Sequence, residues 1–186
     1  MAPTATKSTA EVTLDVGILY AAPIGTTEPA SATATLDAAW REVGYTEDGS
    51  SFMTEVSSQD VMVEELLDPV RTVNVSRKSK LSFEMAQASR RNLILALNQG
   101  AAGANTAAVV EPAALSAEVR VMLLWVSEAT GANASAFLAR QCYNVGGLKI
   151  DRKQAPDKAR IPVEFALEKP TSAAAFTFFP NNSGVL

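Results

Sequence analysis

The segment VRTVNVSRKSKLSFEMA, residues 70–86, alternates between apolar and polar side chains along its length. One face carries Val73, Val75, Leu81, Phe83 and Met85. The other face carries Thr72, Asn74, Ser76, Lys78, Lys80, Ser82 and Glu84. A period of two over so many residues predicts a β-strand with one wetted face, and not a helix.

The predicted strand is longer than one small core can cover. At about 3.3 Å per residue it would extend roughly 55 Å, whereas an ordinary strand extends about 17–20 Å. Arg77 and Ser79 interrupt its apolar face near the middle, where a projecting part would meet water. We therefore predict a long β-hairpin, turning at Asp68-Pro69, that projects beyond the body of the protein.

Shorter alternating segments, separated by turn residues, occur through the rest of the chain. The predicted strands are 11–21, 40–45, 52–56, 61–64, 118–126, 135–143, 148–151, 161–168 and 173–179, with turns at 46–49 and 57–60 and a surface loop over 23–37. One helix is predicted at about 88–98, capped by Ser89 and closed by Gly100. This pattern predicts a mainly β protein, a β-sandwich or barrel-like fold with one flanking α-helix.

Length and composition predict a single domain over residues 1–186, with a flexible arm at 1–10 and a loose tail at 181–186. The formal net charge of −4 argues against a dedicated nucleic-acid binder. A lone cysteine, Cys142, fits a reducing compartment. Residues 1–10 lack the apolar centre of a signal peptide, and no apolar run is long enough for a membrane helix. We therefore expect a chain that is made and kept soluble in a cytoplasm, without a membrane partner.

The sequence lacks the residues and motifs that are common in enzyme active sites. The chain has no histidine, which removes the commonest general base and metal ligand, and it has no Ser-x-x-Lys motif. The adjacent acids of Glu47-Asp48 and Glu64-Glu65 would point to opposite faces of a strand and could not chelate one ion together. Cys142 is expected to be a partly buried, inert thiol. We predict no catalytic, cofactor or metal site.

The strand predicted at 118–126 is apolar on both faces. Val119, Val121, Leu123 and Trp125 share one face, and Met122, Leu124 and Val126 share the other. Apolar side chains on both faces imply burial on both sides. We therefore predict that a neighbouring subunit covers Met122 and Leu124.

Charge is divided unevenly along the hairpin. Residues 42–68 contain eight acids and no base, whereas residues 69–91 contain six bases and one acid. Cross-strand pairing inside one hairpin explains this division, and so does a head-to-tail contact between an acidic edge of one copy and a basic edge of the next. The two explanations are compatible. The charged residues assigned to a subunit contact are Glu64, Glu65, Asp68, Arg71, Arg77, Lys78 and Lys80.

Several segments resemble the major tail proteins of long-tailed, non-contractile bacteriophages. They are WREVGYTEDG at 40–49, LDPVRT at 67–72, Phe83, and LILALN at 93–98. The order and spacing of these segments agree over roughly residues 12–100, and beyond that only the strand pattern does. The resemblance implies a tail tube subunit: a β-sandwich with one flanking helix, whose inner strands join those of its neighbours.

The same resemblance implies an assembly and its partners. Subunits of this kind form rings, usually hexameric, stacked around a channel that holds a tape-measure protein before it passes double-stranded DNA. Tail terminator and tail-tip proteins cap the ends. Because lysines along a channel wall would hold DNA phosphates, the polar face of the long strand is the predicted channel lining, namely Thr72, Asn74, Ser76, Ser82 and Glu84. Lys78 and Lys80 are placed at the tip of the hairpin, away from the channel.

Two other classes of function stay open at this point. One is a different virion protein with a similar β-fold, such as a tail terminator or head-tail connector. The other is a monomeric β-sandwich that binds a partner, which would stay near 20 kDa in size-exclusion chromatography.

Overall fold

The structure is a computed structural model that describes residues 17–62, 68–100, 110–111, 118–128, 134–151 and 159–180. The described residues form eight strands and one helix. They are β1 (Gly17–Pro23), β2 (Arg41–Glu42), β3 (Thr46–Val61), β4 (Arg71–Met85), α1 (Arg90–Ala96), β5 (Val121–Ser127), β6 (Ala136–Asn144), β7 (Ile161–Leu167) and β8 (Phe176–Phe179). The prediction of a mainly β protein with one helix is confirmed.

All eight strands belong to one sheet with the order β2-β1-β5-β6-β7-β4-β3, and the pairings between them are antiparallel. β8 lies off this path, because β6 pairs with β7 through residues 142–144 and with β8 through residues 136–139. The two ends of the sheet, β2 and β3, are joined by only three residues. The Val43 amide donates to the Leu19 carbonyl, and the Ala86 amide donates to the Tyr45 carbonyl. The sheet therefore curls until its ends meet, which gives a barrel-like body.

The main core lies inside this curl. Leu81, Phe83 and Met85 of β4 point into it together with apolar residues of β1, β5, β6, β7 and α1. Phe52 of β3 packs across the interior against Phe137, with ring centroids 4.6 Å apart. We call the side of the sheet that carries Leu81 the core face, and the opposite side the outer face.

A second apolar cluster lies on the other side of β5, and it corrects one prediction. Met122 and Leu124 are almost fully buried, and they pack with Trp40 and with Leu36 of the connection between β1 and β2. The Trp40 indole donates to the Thr27 carbonyl at 3.0 Å, which fastens this connection over the sheet. The prediction that a neighbouring subunit covers Met122 and Leu124 is therefore wrong, because residues of the same chain bury them. These two residues are not candidates for a subunit contact.

β3 is one strand where the sequence predicted a turn, two strands and a second turn. Its register with β4 passes from Glu47↔Glu84 to Ser50↔Phe83, so two extra residues are absorbed in a bulge. Gly49 takes the predicted positive φ there, at 77°, but it serves the bulge and not a turn. Residues 57–60 stay in the ladder, because pairing with β4 outweighs their turn-forming composition.

The helix begins as predicted and ends earlier. Ser89 caps it, since the Asn92 amide donates to the Ser89 hydroxyl. The helix closes at Ala96, and Asn98 rather than Gly100 supplies the first left-handed residue after it, with φ of 55°. Asparagine tolerates this conformation better than most residues with a side chain.

Other predicted segments have mixed outcomes. The prediction of a strand at 148–151 is wrong, because only an isolated bridge between Asp151 and Arg160 forms there. The strand at 40–45 shrinks to Arg41–Glu42. The loop over 23–37 contains no strand beyond Pro23. Residues 1–16 and 181–186, with their predicted arm, tail and first half of the first strand, lie outside the described residues.

Candidate subunit-contact surfaces

The hairpin of β3 and β4 divides into a part inside the body and a part outside it. β4 pairs with β7 only from Ser79, which lies opposite Leu167, to Met85. Residues 55–61 and 71–78 pair only with each other, and their side chains are exposed. We call these two segments the arm. At about 3.4 Å per residue, its eight β4 residues reach roughly 25 Å beyond the body, so the predicted projection is confirmed.

The arm exposes apolar side chains and unpaired backbone. Val56, Val61, Val73 and Val75 of the arm, and Val70 next to it, have 40–59 % of their surface exposed. In the part of the chain that the structure describes, neither outer edge of the arm is paired with another strand. A long exposed edge with apolar side chains is a template for pairing with another chain.

A bulge in the arm changes which predicted channel residues share a face. The register passes from Ser57↔Ser76 to Ser58↔Asn74, which leaves Val75 as an extra residue on β4. One extra residue exchanges the two faces of the strand beyond it. Thr72 and Asn74 therefore lie on the side of the core face, and the Thr72 hydroxyl donates to Asp60 at 2.6 Å.

The remaining predicted channel residues, Ser76, Ser82 and Glu84, lie on the outer face. The prediction that all five residues share one face is therefore wrong. The alternation in the sequence continues through Val75, so the letters alone give no sign of the exchange.

Lys80 and Lys78 are not at the tip of the hairpin, contrary to prediction. Lys80 lies inside the body on the outer face, opposite Ala166, and its ammonium contacts the Glu164 carboxylate at 2.8 Å. This hydrogen bond raises the pKa of Lys80. Lys78 lies at the base of the arm, opposite Glu55.

Other bases of the outer face are also held by carboxylates. The Arg160 guanidinium contacts Glu84 at 3.2 Å and Glu47 at 3.9 Å. Arg120 contacts Glu168 at 3.2 Å, and its guanidinium carbon lies 4.7 Å from the centre of the Tyr143 ring. The outer face around Lys80, Arg120 and Arg160 thus presents ion pairs instead of isolated cations.

Glu168 offers a pH test of this face. The hydrogen bond from Arg120 holds the pKa of Glu168 below its usual value, with a further bond from Gln141. A carboxyl whose pKa is lowered on folding adds stability above its unfolded pKa, and this stability is lost as the pH falls through the folded pKa. We expect Glu168→Gln to lose about 0.2–1 kcal/mol near pH 7 and less below pH 4, since both side chains are more than a third exposed. Urea unfolding at pH 7 and pH 3.5 measures both values, and an equal loss at the two pH values would contradict the assignment.

The charged residues predicted to contact another subunit are only partly gathered. Asp68, Arg71, Arg77 and Lys78 are exposed on or beside the arm, whereas Glu64 and Glu65 lie outside the described residues. Lys78 is opposite an acid, but Arg71 and Arg77 lie opposite Val61 and Val56. Cross-strand pairing inside the hairpin therefore accounts for the charge of Lys78, but Arg71 and Arg77 have no acid directly opposite them.

Sequence reasoning missed two features. The first is a groove of about 600 Å³ between the arm and the segment that follows β7, lined by Val56, Val75, Arg77, Leu167, Lys169 and Phe176 among others. The second is a buried pair, Asn98 and Asn144, that ties the end of α1 to β6. Both unite residues that are distant in sequence, so no local pattern signals them.

Other chemical groups among the described residues are few. Burial raises the pKa of the Cys142 thiol, which is fully buried. No three acidic or thiol side chains among these residues lie close enough to hold a metal ion. None of their helices has the length and apolar character needed to cross a membrane.

Comparison with known proteins gives one positive result. The sequence profile described as phage tail tube protein matches residues 4–183, which is nearly the whole chain. No curated protein sequence matches it. The chain therefore belongs to the phage tail tube protein family and is a structural component of the phage tail.

Proposed function

We propose that copies of this chain join through their arms into rings, which stack into the tube that conducts DNA through the tail. The arm carries this proposal. It exposes valines and two strand edges with which no other described strand pairs. Closing such edges into a larger barrel across subunits removes them from water and from unwanted pairing.

The charges of the arm favour a head-to-tail contact. Its β3 segment carries Glu55 and Asp60, and its β4 segment carries Arg71, Arg77 and Lys78. When the β3 edge of one arm lies beside the β4 edge of the arm of the next subunit, acids face bases at each contact between subunits. A contact between unlike edges produces a ring if the rotation closes, and a hexameric ring is the form that the family resemblance implies.

The outer face of β4 and β7 is the proposed channel wall. Ser82 and Glu84 lie there, together with Lys80 and Arg160, whose charges are held by Glu164 and Glu84. A lysine or arginine that is already paired with a carboxylate neutralises DNA phosphates less, so fewer counterions are released from the DNA. The wall therefore attracts the duplex only weakly. This arrangement lets lysine and arginine line a conduit without retaining DNA. A tape-measure protein, a tail terminator and tail-tip proteins complete the proposed set of partners.

Microscopy of the purified chain tests the proposal. We expect negative-stain images at rising protein concentration to show rings and then stacked tubes, with a central channel along their axis. Size-exclusion chromatography of the same samples should show species far above the 19.6 kDa of one copy. A single-copy peak at every concentration would favour a monomeric binding module. Single closed rings that never stack would favour a terminator or connector.

A further inference from the structure

The groove between the arm and the segment after β7 is a gap in the sheet. β7 ends at Leu167, and Glu168 still donates to the Gln141 carbonyl of β6. The chain returns to the same edge of β6 at Ala175, whose carbonyl accepts from Arg140, and β8 follows from Phe176. Residues 168–175 belong to no strand, and none of the described strands pairs with the arm on that side. The gap is lined by Asn74, Val75 and Ser76 from the arm, and by Ala174, Ala175 and Phe176 from the other wall.

One wall of this gap is a strand edge that can accept another strand. Asn74 and residues 76–78 of β4 pair with β3 on one side only, and Val75 is the extra residue of the bulge between them. Their other edge faces the gap, where β7 would have continued. A strand laid here would form backbone hydrogen bonds with β4 and place alternate side chains against the walls.

The chemistry of the walls restricts the occupant. Val56, Val75, Leu167 and Phe176 are apolar, and the charged residues of the lining are the bases Arg77 and Lys169. A matching strand carries apolar residues at alternate positions together with acids. Residues 11–16, EVTLDV, have this pattern, with Val12, Leu14 and Val16 at alternate positions and acids at positions 11 and 15. The segment 62–68, MVEELLD, also combines acids with apolar side chains, but its apolar residues do not alternate with polar ones.

Residues 11–16 lie outside the described residues, and their attachment to β1 indicates which copy receives them. Gly17 begins β1 opposite Ser127, at the end of the sheet where Ala136 begins β6. The arm leaves the body past Ser79, toward the same end. The alternation of residues 12–16 continues in phase with Ile18, so the six residues would extend about 20 Å beyond the body if they continue β1. No residue separates them from β1, so a segment that continues β1 would have no linker with which to return along the gap of its own copy.

We propose that residues 11–16 of a second copy occupy this groove and pair with β4 residues 74–78. The inference rests on the proposed tube and adds the segment and the surface that link its copies. Val12, Leu14 and Val16 pack against the apolar walls, while Glu11 and Asp15 balance the charges of Arg77 and Lys169.

Disulfide trapping between copies tests the inference. Leu14→Cys and Val75→Cys are made as separate single variants, mixed with each other, and diluted with unsubstituted chain so that assembly is undisturbed. Cys142 is fully buried and contributes no background. Oxidation of the assembled material should give a disulfide-linked dimer on a non-reducing gel. The matched control replaces Val75→Cys with Val145→Cys, which is similarly exposed but lies just after β6 at the opposite end of the sheet, and should give no dimer.

The outcomes separate this inference from the proposed function. Tubes that form without the 14–75 dimer would overturn the inference and leave the tube intact. A link that forms only within one chain, in a double variant, would assign the groove to the same copy and also overturn it. If no tubes form, the proposed function fails, and the same mixture at high concentration still decides whether the segment and groove meet. If Leu14→Cys fails to fold, Val12→Cys with Val75→Cys replaces it.

Discussion

Removal of the arm is expected to abolish tube formation while the body still folds. Thr54 and Ser79 face each other at the base of the arm, with their hydroxyl oxygens 2.9 Å apart. Replacing residues 55–78 with Asn-Gly would close the hairpin there with a two-residue turn, which favours this dipeptide. Of the removed part, the structure describes residues 55–62 and 68–78, and none of these belongs to either hydrophobic cluster. We therefore expect a change in unfolding free energy within about 1 kcal/mol, and a loss of rings and tubes at every concentration.

Far-UV circular dichroism, thermal unfolding and negative-stain microscopy of the same preparation measure both parts of this result. Tubes formed by the shortened chain would contradict the role of the arm. A chain that no longer folds would contradict the separation between arm and body.

A charge reversal tests the role of the basic β4 edge of the arm without removing the arm. Arg71→Glu places an acid on the edge that the head-to-tail contact requires to be basic, and we expect it to raise the concentration needed for assembly about tenfold or more, since like charges in a contact cost several kcal/mol. Arg41→Glu is the matched control, because Arg41 is an exposed arginine on β2, away from the arm. Equal losses in the two variants would show that total charge, and not the arm edge, controls assembly.

The parts of the fold that sequence reasoning predicted are those specified by neighbours along the chain. The alternation over residues 81–85 and 161–167 reports which side chains face the core, and the Ser89 cap needs only the residues of the first turn. The incorrect parts depend on strand pairing. Gly49 and the serines near residue 57 read locally as turns, but the ladder with β4 keeps both places inside one strand. Once β4 is in place, the pairing of so many residues outweighs local turn preference.

The candidate surfaces were predictable only in outline. Alternation placed the projecting hairpin correctly, but one extra residue at Val75 reversed the faces beyond it. The apolar character of Met122 and Leu124 correctly indicated burial, and it could not indicate that Trp40 and Leu36, some 80 positions earlier, provide the cover. Lys80 shows the same limit, because its partner Glu164 comes from β7. Which partner satisfies a side chain depends on the topology of the sheet.

Asn144 is the other position where a single substitution should have a large effect. Its side chain is buried and forms four hydrogen bonds. The amide nitrogen donates to the carbonyls of Ala96 and Gly147, and the amide oxygen accepts from the backbone amides of Gly146 and Glu164. One side chain therefore joins the end of α1, the turn after β6, and β7.

Asn144→Ala removes the buried bond to the Ala96 carbonyl together with three part-buried bonds. A buried group left without a partner costs about 1–3 kcal/mol, and each other lost bond adds about 0.5–1.5 kcal/mol or less. We expect the unfolding free energy to fall by about 3 kcal/mol in total, with the melting temperature lower by roughly 6–12 °C for a chain of this size. Asn74→Ala is the matched control, because Asn74 is exposed on the arm, and its loss should stay within about 0.5 kcal/mol. Both are measured at concentrations where no assembly occurs.

Asn144→Asp divides the effect between donor and acceptor. The introduced carboxyl keeps an oxygen for the amides of Gly146 and Glu164, but its ionised form brings negative charge against the Ala96 carbonyl. Burial disfavours that charge, so the variant should be least stable near pH 7 and should recover as the pH falls and the carboxyl is protonated. Since α1 packs on the core through Leu95 and Ala96, the lost stability should appear as faster amide exchange in α1 before the rest of the body opens. Uniform exchange throughout the sheet, with no early opening of α1, would show that Asn144 stabilises the body as a whole and does not dock the helix.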